Sequence, residues 1–385
     1  MSHDLPLRWK KTQEQMKKTG ADACMIASNA NLYYLSGMIL SGYIYLPSEG
    51  EPLYFVRRPA GLEDPKVRYI RKPEDIPALL KASGLNLPGL LLLEGDQLPY
   101  NEYIRLQTAL SPQQTGNATL LMRQVRSIKT DWEISQFRIS AQKHAEAYSH
   151  IKECYTPGMT DVELQVNLEH VIRSLGSIGY FRGFGHNMEI HMGSVLTGEN
   201  AEAASPFDFA LGGAGIHPIV PVGANGSPLQ EGTTVMIDMV GNYTAYLTDM
   251  TRTFRIGTIP DIAYQAHQAS IDIQDEIMRI SKPGVDCAGL YHVAMEMANA
   301  AQLGQYFMGT KQQAKFVGHG VGIEINELPV LTGRSNEILQ PNMVVAIEPK
   351  FVIPGIGAVG IENTFLATAS GLEKLTLFDE ALHSI

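Results

Sequence analysis

The sequence predicts two domains, an α/β domain of about 120 residues followed by a larger α+β domain. A chain of 385 residues is long enough for two domains of ordinary size. Short apolar strand candidates alternate with helix candidates in the first part of the chain. From Thr130 the pattern changes to long helices and, after residue 233, to strands broken by helices. The division between the domains is therefore expected at 120–130.

The elements of the first domain follow from local patterns. Residues 7–19 have the spacing of a charged amphipathic helix that ends near Gly20. The other predicted elements are strands at 23–27, 42–46, 52–57 and 89–93, and helices at 73–83, opening at Pro73, and 101–110. Residues 111–118 have too weak a pattern for an assignment.

The second domain is predicted to open with two capped helices. Thr130 precedes Glu133 by three residues, which is the start of a capping box, and the helix can run to about Tyr155. Thr160 caps a second helix over 160–175. The remainder is predicted as a Gly- and Pro-rich segment at 180–226, strands from 233 onward, and helices at 260–281 and 285–303.

Composition and charge exclude several classes of protein. The net charge of −10, with no stripe of Lys and Arg, argues against nucleic-acid binding. No apolar run approaches the ~20 residues that span a bilayer, and the N-terminus has no apolar signal region. The three cysteines are scattered and odd in number, which favours free thiols. We therefore expect a cytoplasmic protein that binds neither membranes nor nucleic acid.

Two aspartates are predicted to face each other across a hairpin. Asp238 lies in the apolar strand candidate Thr-Val-Met-Ile-Asp-Met-Val, and Asp249 follows eleven positions later. If the segment 233–256 folds back with a four-residue turn at Asn242–Ala245, these two residues are direct cross-strand partners. Their carboxylates then stand side by side on one face.

Two glutamates repeat this arrangement. Glu348 and Glu362 are fourteen positions apart, and a three-residue turn at Pro354–Ile356 would oppose them. Like charges in direct opposition are destabilising, whereas two divalent cations with a charge of +4 would balance the −4 of the four carboxylates. His319, between two glycines that permit close backbone approach, would complete the ligand set. The alternative is a set of solvated carboxylates and a satisfied histidine, which the apolar flanking strands disfavour.

These segments resemble the creatinase/prolidase/methionine aminopeptidase family, peptidase family M24, whose catalytic domain has the pita-bread fold. The matching stretches are 237–254, 318–324, 347–350 and 360–364. Residues 30–37 resemble the family's creatinase-type N-terminal domain, and residues 126–133 resemble the opening of its catalytic domain. The resemblance implies an α/β creatinase-like N-terminal domain at 1–125 and an α+β pita-bread catalytic domain at 126–385.

Carried over to this chain, the resemblance implies two divalent ions and five ligands: Asp238 on one ion, His319 and Glu348 on the other, and Asp249 and Glu362 bridging both. Such carboxylate and imidazole ligands suit Mn, Co, Fe or Zn. Glu348 would also shuttle a proton beside the bridging water. Thr251 and Arg252 are predicted to support the ligands from behind, near Asp249.

Two departures from the family pattern affect the substrate pocket. Where peptidases of the family carry a second histidine before Glu-x-Pro, this chain has Asn326. An amide can donate a hydrogen bond to a substrate carbonyl or oxyanion but cannot exchange a proton near neutral pH. An apparent insertion from Asp208 to about Gly223 changes the place of the other pocket histidine. His217 is the predicted substitute, although a Gly-rich loop can equally carry a surface histidine. Asn326 and His217 join Glu348 as predicted catalytic residues.

Two further patterns are predicted to lie outside the chemistry. His186 and His191 are five positions apart, which favours a solvated loop over a loop lining the mouth of the pocket. Residues 355–360 match the G-x-G-x-x-G pattern of dinucleotide sites, which works only between a strand and a helix. Residues 361–365 predict a strand instead, so these glycines are assigned to a hairpin turn and no nicotinamide cofactor is expected.

The resemblance implies a hydrolase that uses a metal-bridging water. The leading hypothesis is an Xaa-Pro peptidase, either an aminopeptidase or a dipeptidase. One alternative is a metal-dependent enzyme of the same fold that acts on a small non-peptide amide or zwitterion, which Asn326 and the altered 199–223 loop favour. The other is a non-catalytic binding protein, which the intact ligand set disfavours. Related enzymes are often dimers, so the resemblance also implies a homodimer.

Overall fold

The computed structural model describes residues 4–186, 188, 191–207 and 209–385. The chain divides into two compact units, the first ending at Arg126 and the second beginning at Ser127. The α-helices are α1 Leu5–Thr19, α2 Asn29–Ser36, α3 Ile76–Ala82, α4 Tyr100–Leu110, α5 Thr119–Ser127, α6 Asp131–Tyr148, α7 Ile151–Cys154, α8 Asp161–Ser174, α9 Asp261–Ile280 and α10 Cys287–Ala300. The strands are β1 Ala23–Ile26, β2 Ser41–Pro47, β3 Leu53–Arg58, β4 Val67–Tyr69, β5 Leu90–Leu93, β6 Gln114–Asn117, β7 Gly193–Thr197, β8 Thr234–Gly241, β9 Thr248–Arg255, β10 Phe316–Gly320, β11 Glu327–Thr332, β12 Val344–Ile347, β13 Lys350–Ile353, β14 Gly357–Gly360, β15 Asn363–Ala367, β16 Leu372–Lys374 and β17 His383–Ser384.

The first unit is an α/β layer built on a six-stranded mixed sheet with the order β4-β3-β2-β1-β5-β6. β1 pairs parallel with β5 and antiparallel with β2, and β5 pairs parallel with β6. Apolar residues of the central strands share one buried cluster with residues of α3 and α4, including Met25, Leu91, Leu80 and Leu106. The predicted α/β architecture is therefore confirmed.

Two edge strands of this sheet were absent from the sequence prediction. β6 has the sequence Gln-Thr-Gly-Asn and falls in the stretch 111–118 that had no clear pattern. β4 is Val-Arg-Tyr, and none of its residues is buried. An edge strand can be held by main-chain hydrogen bonds on one side alone, so its side chains need not show the apolar alternation that predicts a strand.

The second unit combines helices with sheets that are antiparallel except for the parallel pairing of β17 with β9. One sheet has the order β11-β10-β12-β15-β16, another has β17-β9-β8-β7, and β13 and β14 form a two-stranded ribbon. The predicted capping boxes are confirmed, because Thr130 caps α6 together with Glu133 and Thr160 caps α8 together with Glu163. The first of these helices is shorter than predicted, since α6 ends at Tyr148 and α7 follows as a separate turn.

Two apolar clusters fix the helices of the second unit on its strands. α6 and α8 pack on β8 and β9 through buried residues that include Tyr148, Leu164, Ile237 and Met250. α9 and α10 share a larger cluster with β10, β12, β13 and β15. Buried apolar area of this kind contributes about 25 cal/mol per Å² and dominates the stability of the unit. The strands that carry the predicted ligands therefore pack on two pairs of helices, β8 and β9 on α6 and α8, and β10 on α9 and α10.

Candidate metal centre

The β8–β9 hairpin carries the two aspartates in a register that differs from the prediction. Asp238 pairs with Thr251, and Val240 pairs with Asp249, so the prediction that the two aspartates are direct partners is wrong. The connection covers residues 242–247, which is six residues instead of four. The longer turn moves the pairing by two positions, and a shift of two keeps a side chain on the same face. The aspartates are diagonal neighbours on that face.

The second carboxylate pair has the predicted geometry. β13 pairs antiparallel with β14 across a three-residue turn at Pro354–Ile356. β12 and β15 continue in the same register, with Ile347 opposite Asn363. Glu348 and Glu362 lie between these two ladders, where the shared register opposes them. The glycines of the G-x-G-x-x-G stretch belong to this hairpin, as predicted.

His319 lies on β10, between β11 and β12. A β-carbon on Gly318 would lie 2.3 Å from the main-chain oxygen of Ala346, and one on Gly320 would lie 2.1 Å from that of Leu328. Only glycine allows neighbouring strands to approach so closely. The prediction that the two glycines permit close backbone approach is therefore confirmed. They hold His319 on a strand that its neighbours approach closely.

The structure brings the five predicted ligands into one cluster. His319 Nε2 lies 3.5 Å from Glu348 Oε1 and 3.9 Å from Asp249 Oδ2. One ligand atom each from Asp249, His319 and Glu362 lies within 4.8 Å of the other two. Asp238 joins the cluster through a lysine that also contacts Glu348 and Glu362. The spacing in the sequence thus corresponds to a real convergence of side chains, while their roles as ligands stay predictions.

The lysine in this cluster had no assigned role in the sequence analysis. Lys350 begins β13 and is fully buried. Its Nζ donates hydrogen bonds to Asp238 Oδ2 at 2.8 Å, Glu348 Oε2 at 2.7 Å and Glu362 Oε2 at 2.9 Å. These three bonds use the whole donor capacity of an ammonium group. The sequence did contain a signal, because a residue two positions after Glu348 on an extended segment points to the same face.

Burial and mutual repulsion shift the pKa values in the cluster. Burial, followed by the charge of Asp238, raises the pKa of Asp249 well above its ordinary value, although Lys350 opposes the shift. Burial and the charge of Asp249 raise the pKa of Glu362 in the same way. Burial alone would lower the pKa of Lys350, but the surrounding carboxylates outweigh it and raise that pKa well above its ordinary value. The cluster therefore contains a charged lysine and still has an excess of acidic groups.

Thr251 and Arg252 support Glu362 rather than Asp249, which corrects the prediction of their position. Thr251 Oγ1 donates to Glu362 Oε2 at 2.8 Å, and Arg252 Nη1 donates to the main-chain oxygen of Glu362 at 2.9 Å. Asp249 is held by Thr364, whose Oγ1 accepts from the Asp249 N–H and donates to the Asp249 carbonyl. Thr251 thus orients the Glu362 carboxylate, while Arg252 and Thr364 fix the main chain of Glu362 and Asp249.

Two side chains of α9 hold the main chain beside the glutamates. Ser270 Oγ donates to the carbonyl of the residue after Glu348 and accepts, at 3.0 Å, from the N–H of the residue before Glu362. Gln274 Nε2 donates to the carbonyl of the residue before Glu348 at 2.8 Å. Ser270 and Gln274 are one helical turn apart on the buried face of α9. The helix therefore fixes both strand ends that present the glutamates.

The predicted catalytic residue Asn326 is bound to the main chain. Its Nδ2 donates to the carbonyl of Phe184 at 2.7 Å, and its Oδ1 accepts from the Phe184 N–H at 2.6 Å. This pair of bonds anchors the segment before His186 rather than directing the amide to a substrate. The proposed hydrogen bond from Asn326 to a substrate remains a prediction.

The loop histidines lie at the surface. His217 is exposed, and its Nδ1 accepts a hydrogen bond from the N–H of Ile219 at 3.2 Å. His186 and His191 are exposed as well. Asp208, where the insertion was predicted to begin, lies outside the described residues. The catalytic role of His217 therefore stays a prediction.

The donor atoms suit one divalent cation on the His319 side of the cluster. Glu362 Oε1 is buried and has no hydrogen-bond partner among the described residues. This oxygen, an oxygen of Asp249 and the imidazole of His319 form the mixed donor set that Mn, Co, Fe or Zn accept. On the Asp238 side, Oδ2 of Asp238 and Oε2 of Glu362 are already bonded to the Lys350 ammonium. The residues therefore fit a metal ion in one position and do not fit one in the other.

The fold and this buried carboxylate–histidine cluster define a metallohydrolase with a separate N-terminal unit. The sequence profile described as Creatinase/Prolidase N-terminal domain matches residues 8–128, and that of Metallopeptidase family M24 matches residues 135–369. The chain belongs to metallopeptidase family M24. The predicted family and its two-domain architecture are confirmed.

Relatives of the same length carry peptidase names. The Xaa-Pro dipeptidase of Pyrococcus horikoshii is 26% identical over 381 residues, covering 97% of each protein. The solved structure of an Xaa-Pro dipeptidase from Bacillus anthracis has a TM-score of 0.81 at 22% identity, covering 99% of this chain and 100% of that one. The X-Pro aminopeptidase from Thermotoga maritima has a TM-score of 0.77 at 21% identity, covering 97% of this chain and 100% of that one. None of the helices described for this chain is long and apolar enough to cross a membrane.

Proposed function

We propose that this protein is a metal-dependent Xaa-Pro peptidase of the dipeptidase type. The observation that carries the proposal is the group formed by Asp249, His319 and Glu362, with Glu348 Oε1 3.5 Å from His319 Nε2. Whole-length similarity to proteins named Xaa-Pro dipeptidase supports the substrate class. A divalent ion in this group supplies a Lewis acid that lowers the pKa of its bound water and polarises the scissile carbonyl.

Glu348 is the residue that we assign to proton transfer. Lys350 bonds its Oε2 at 2.7 Å and so fixes the carboxylate with Oε1 facing His319. Oε1 accepts the proton of the attacking water and then delivers it to the proline nitrogen as the peptide bond breaks. The products are the free amino-terminal residue and proline. Thr251 and Arg252 keep Glu362 in place while this happens.

Removing and restoring metal tests this function. The full chain treated with a chelator should lose hydrolysis of Xaa-Pro dipeptides, and Mn or Co added back should restore it. Xaa-Ala dipeptides and longer Xaa-Pro peptides serve as comparison substrates. Hydrolysis that is indifferent to metal, or no cleavage of any Xaa-Pro peptide, would contradict the proposal. A preference for the longer peptides would indicate an aminopeptidase instead.

A second candidate is a metal-dependent enzyme that acts on a small non-peptide amide. The observation that favours it is Asn326, which replaces the expected histidine and is bonded to Phe184 on both atoms of its amide. A pocket without that histidine lacks one proton-exchanging group near neutral pH. If this candidate is right, the wild type should cleave no proline peptide, or Asn326→His should raise peptidase activity.

We also propose a cytoplasmic homodimer. The three free cysteines, all buried, support the compartment. The family resemblance supports the dimer. Size-exclusion chromatography with light scattering distinguishes a monomer of 42.2 kDa from a dimer of twice that mass.

A further inference from the structure

We propose that the Lys350 ammonium takes the place of one of the two metal ions expected in this cluster, so that each chain binds a single divalent ion. The inference rests on the metal dependence of the proposed function but not on its substrate. It assigns Lys350 as a built-in cation bonded to Asp238, Glu348 and Glu362, and it leaves the exchangeable ion to Asp249, His319 and the remaining oxygen of Glu362.

The first argument is the position of the ammonium. Three carboxylate oxygens lie 2.7–2.9 Å from Lys350 Nζ, one on each of Asp238, Glu348 and Glu362. The metal ion expected on this side would bond to Asp238 and Glu362, and an ion that used these same oxygens would compete with Nζ for its place. Two cations cannot share that place. The ion of this side and the ammonium therefore exclude each other.

The second argument is how the two glutamates divide their oxygens. Glu348 gives Oε2 to Lys350 and presents Oε1 to His319. Glu362 gives Oε2 to Lys350 and to Thr251, while its Oε1 is buried without a partner among the described residues. Glu362 thus has one oxygen bonded within the chain and one available to a cation beside His319, while Oε1 of Glu348 lies on the same side for proton transfer.

The third argument is that the Lys350 side chain cannot leave the cluster without losing its hydrogen-bond partners. Its side chain is 1% exposed, and all three N–H donors are in use. Moving the ammonium aside to admit a second metal would leave a buried charge without these partners, which is costly in a protein interior. With four ionised carboxylates, one lysine and one divalent ion leave a single negative charge, whereas two divalent ions beside the lysine leave an excess positive charge.

Counting bound metal tests the inference without any substrate. The full chain is stripped with chelator, saturated with Mn(II), freed of loosely bound metal, and measured by elemental analysis and native mass spectrometry. Wild type should bind one ion per chain. Lys350→Ala opens the position of the ammonium and should bind two. Two ions in wild type, none in wild type, or one in Lys350→Ala would overturn the proposal.

A matched control is Lys129→Ala in the same unit. Lys129 is also a buried lysine, and its Nζ lies 3.3 Å from Glu327, with both side chains 1% exposed. This variant removes a buried ammonium without touching the four carboxylates, and it should keep one Mn(II) per chain. A second ion in Lys129→Ala would show that any lost buried lysine creates a site, and it would overturn the assignment.

A second pair of variants covers the case in which Lys350→Ala does not fold, which circular dichroism would reveal. Asp238→Asn should keep the single Mn(II), because Asp238 bonds Lys350 and not the ion. Asp249→Asn should lose it, because Asp249 is in the group beside His319. Loss of the ion in both variants, or in neither, would overturn the division of the cluster. A protein that cleaves no Xaa-Pro peptide but follows this pattern would refute the proposed function alone.

Discussion

The two sides of the acidic cluster balance their charge in different ways. On the side of Asp238 the positive charge belongs to the chain, since Lys350 is covalently present and bonded to three carboxylates. On the side of His319 a buried oxygen of Glu362 has no partner among the described residues, and our proposal supplies the balancing charge there from solution. On this proposal, one side is completed by folding and the other by binding an ion.

The largest expected effect is on the ion-binding side. His319→Ala removes the only imidazole of the group and should lower kcat/KM on the cleaved substrate by about 1000-fold, because a lost Lewis acid costs several kcal/mol of transition-state stabilisation. Steady-state kinetics with metal analysis measures it. His292→Ala, at an exposed position of α10, is the control and should keep full activity. If His319→Ala stays within about tenfold of wild type, the ion is not essential on this side.

The next effect concerns the side completed by the chain. Lys350→Met leaves three buried carboxylates without their counter-charge, so the free energy of unfolding in chelator should fall by about 3–5 kcal/mol. Urea unfolding followed by fluorescence measures it. Lys143→Met removes an exposed lysine paired with Glu146 and should cost under about 1 kcal/mol. Equal stability of the two variants would mean that Lys350 does not neutralise the cluster.

A smaller effect is expected for a residue that supports a predicted ligand through a hydrogen bond. Thr251→Val removes the hydroxyl that donates to Glu362 Oε2 and should weaken Mn binding about 10-fold, with a loss of about 1 kcal/mol in stability. Thr253→Val is matched, because Thr253 lies on the same strand and donates to the carbonyl of Gly360 instead. It should lose similar stability and keep its Mn affinity. Calorimetric titration and urea unfolding separate the two results; equal weakening would remove the special role of Thr251.

An effect that is absent at neutral pH contrasts Lys350 with the buried base His144, which is bonded to Thr248. Burial, with the charge of Arg252, lowers the pKa of His144 from 6.5 to about 3. Above pH 6.5 His144 is neutral in both states and has no effect. Below pH 6.5 His144 binds a proton in the unfolded chain but not in the folded chain. The free energy of unfolding therefore falls, by about 2 kcal/mol at pH 5. The free energy of unfolding of His144→Asn should fall less than that of wild type between pH 7 and pH 5. Parallel pH profiles would contradict this account.

Short turns were easier to predict than long ones. The three-residue turn at Pro354–Ile356 allows one register, and the opposition of Glu348 and Glu362 followed from it. The β8–β9 connection is two residues longer than predicted, so Asp238 and Asp249 are diagonal rather than direct partners. The prediction that both aspartates lie on one face of the hairpin was still correct, because side chains alternate with a period of two. Local patterns thus determined which carboxylates converge more reliably than how they pair.

Side-chain partners of the pocket could not be inferred from local patterns. Asn326 was expected to meet a substrate, yet its amide holds the main chain of Phe184, 142 positions away in the sequence. Lys350 was read as part of a family motif, and nothing local shows that Asp238, 112 positions earlier, bonds to it. The first contact joins two segments outside the strands and the second joins strands of different sheets, so both depend on tertiary packing.

The amino-acid sequence alone determined the family, the two-domain architecture and the set of four carboxylates and one histidine, because spacing, caps and turn residues act within a few positions. Only the tertiary structure decided how that acidic cluster is neutralised. Whether Lys350 points to solvent or to Asp238 depends on the packing of β13 and β14 against β8, which leaves the Lys350 side chain buried. The charge balance in a protein interior depends on the distances between charged groups on different strands. Those distances are set only when the chain folds.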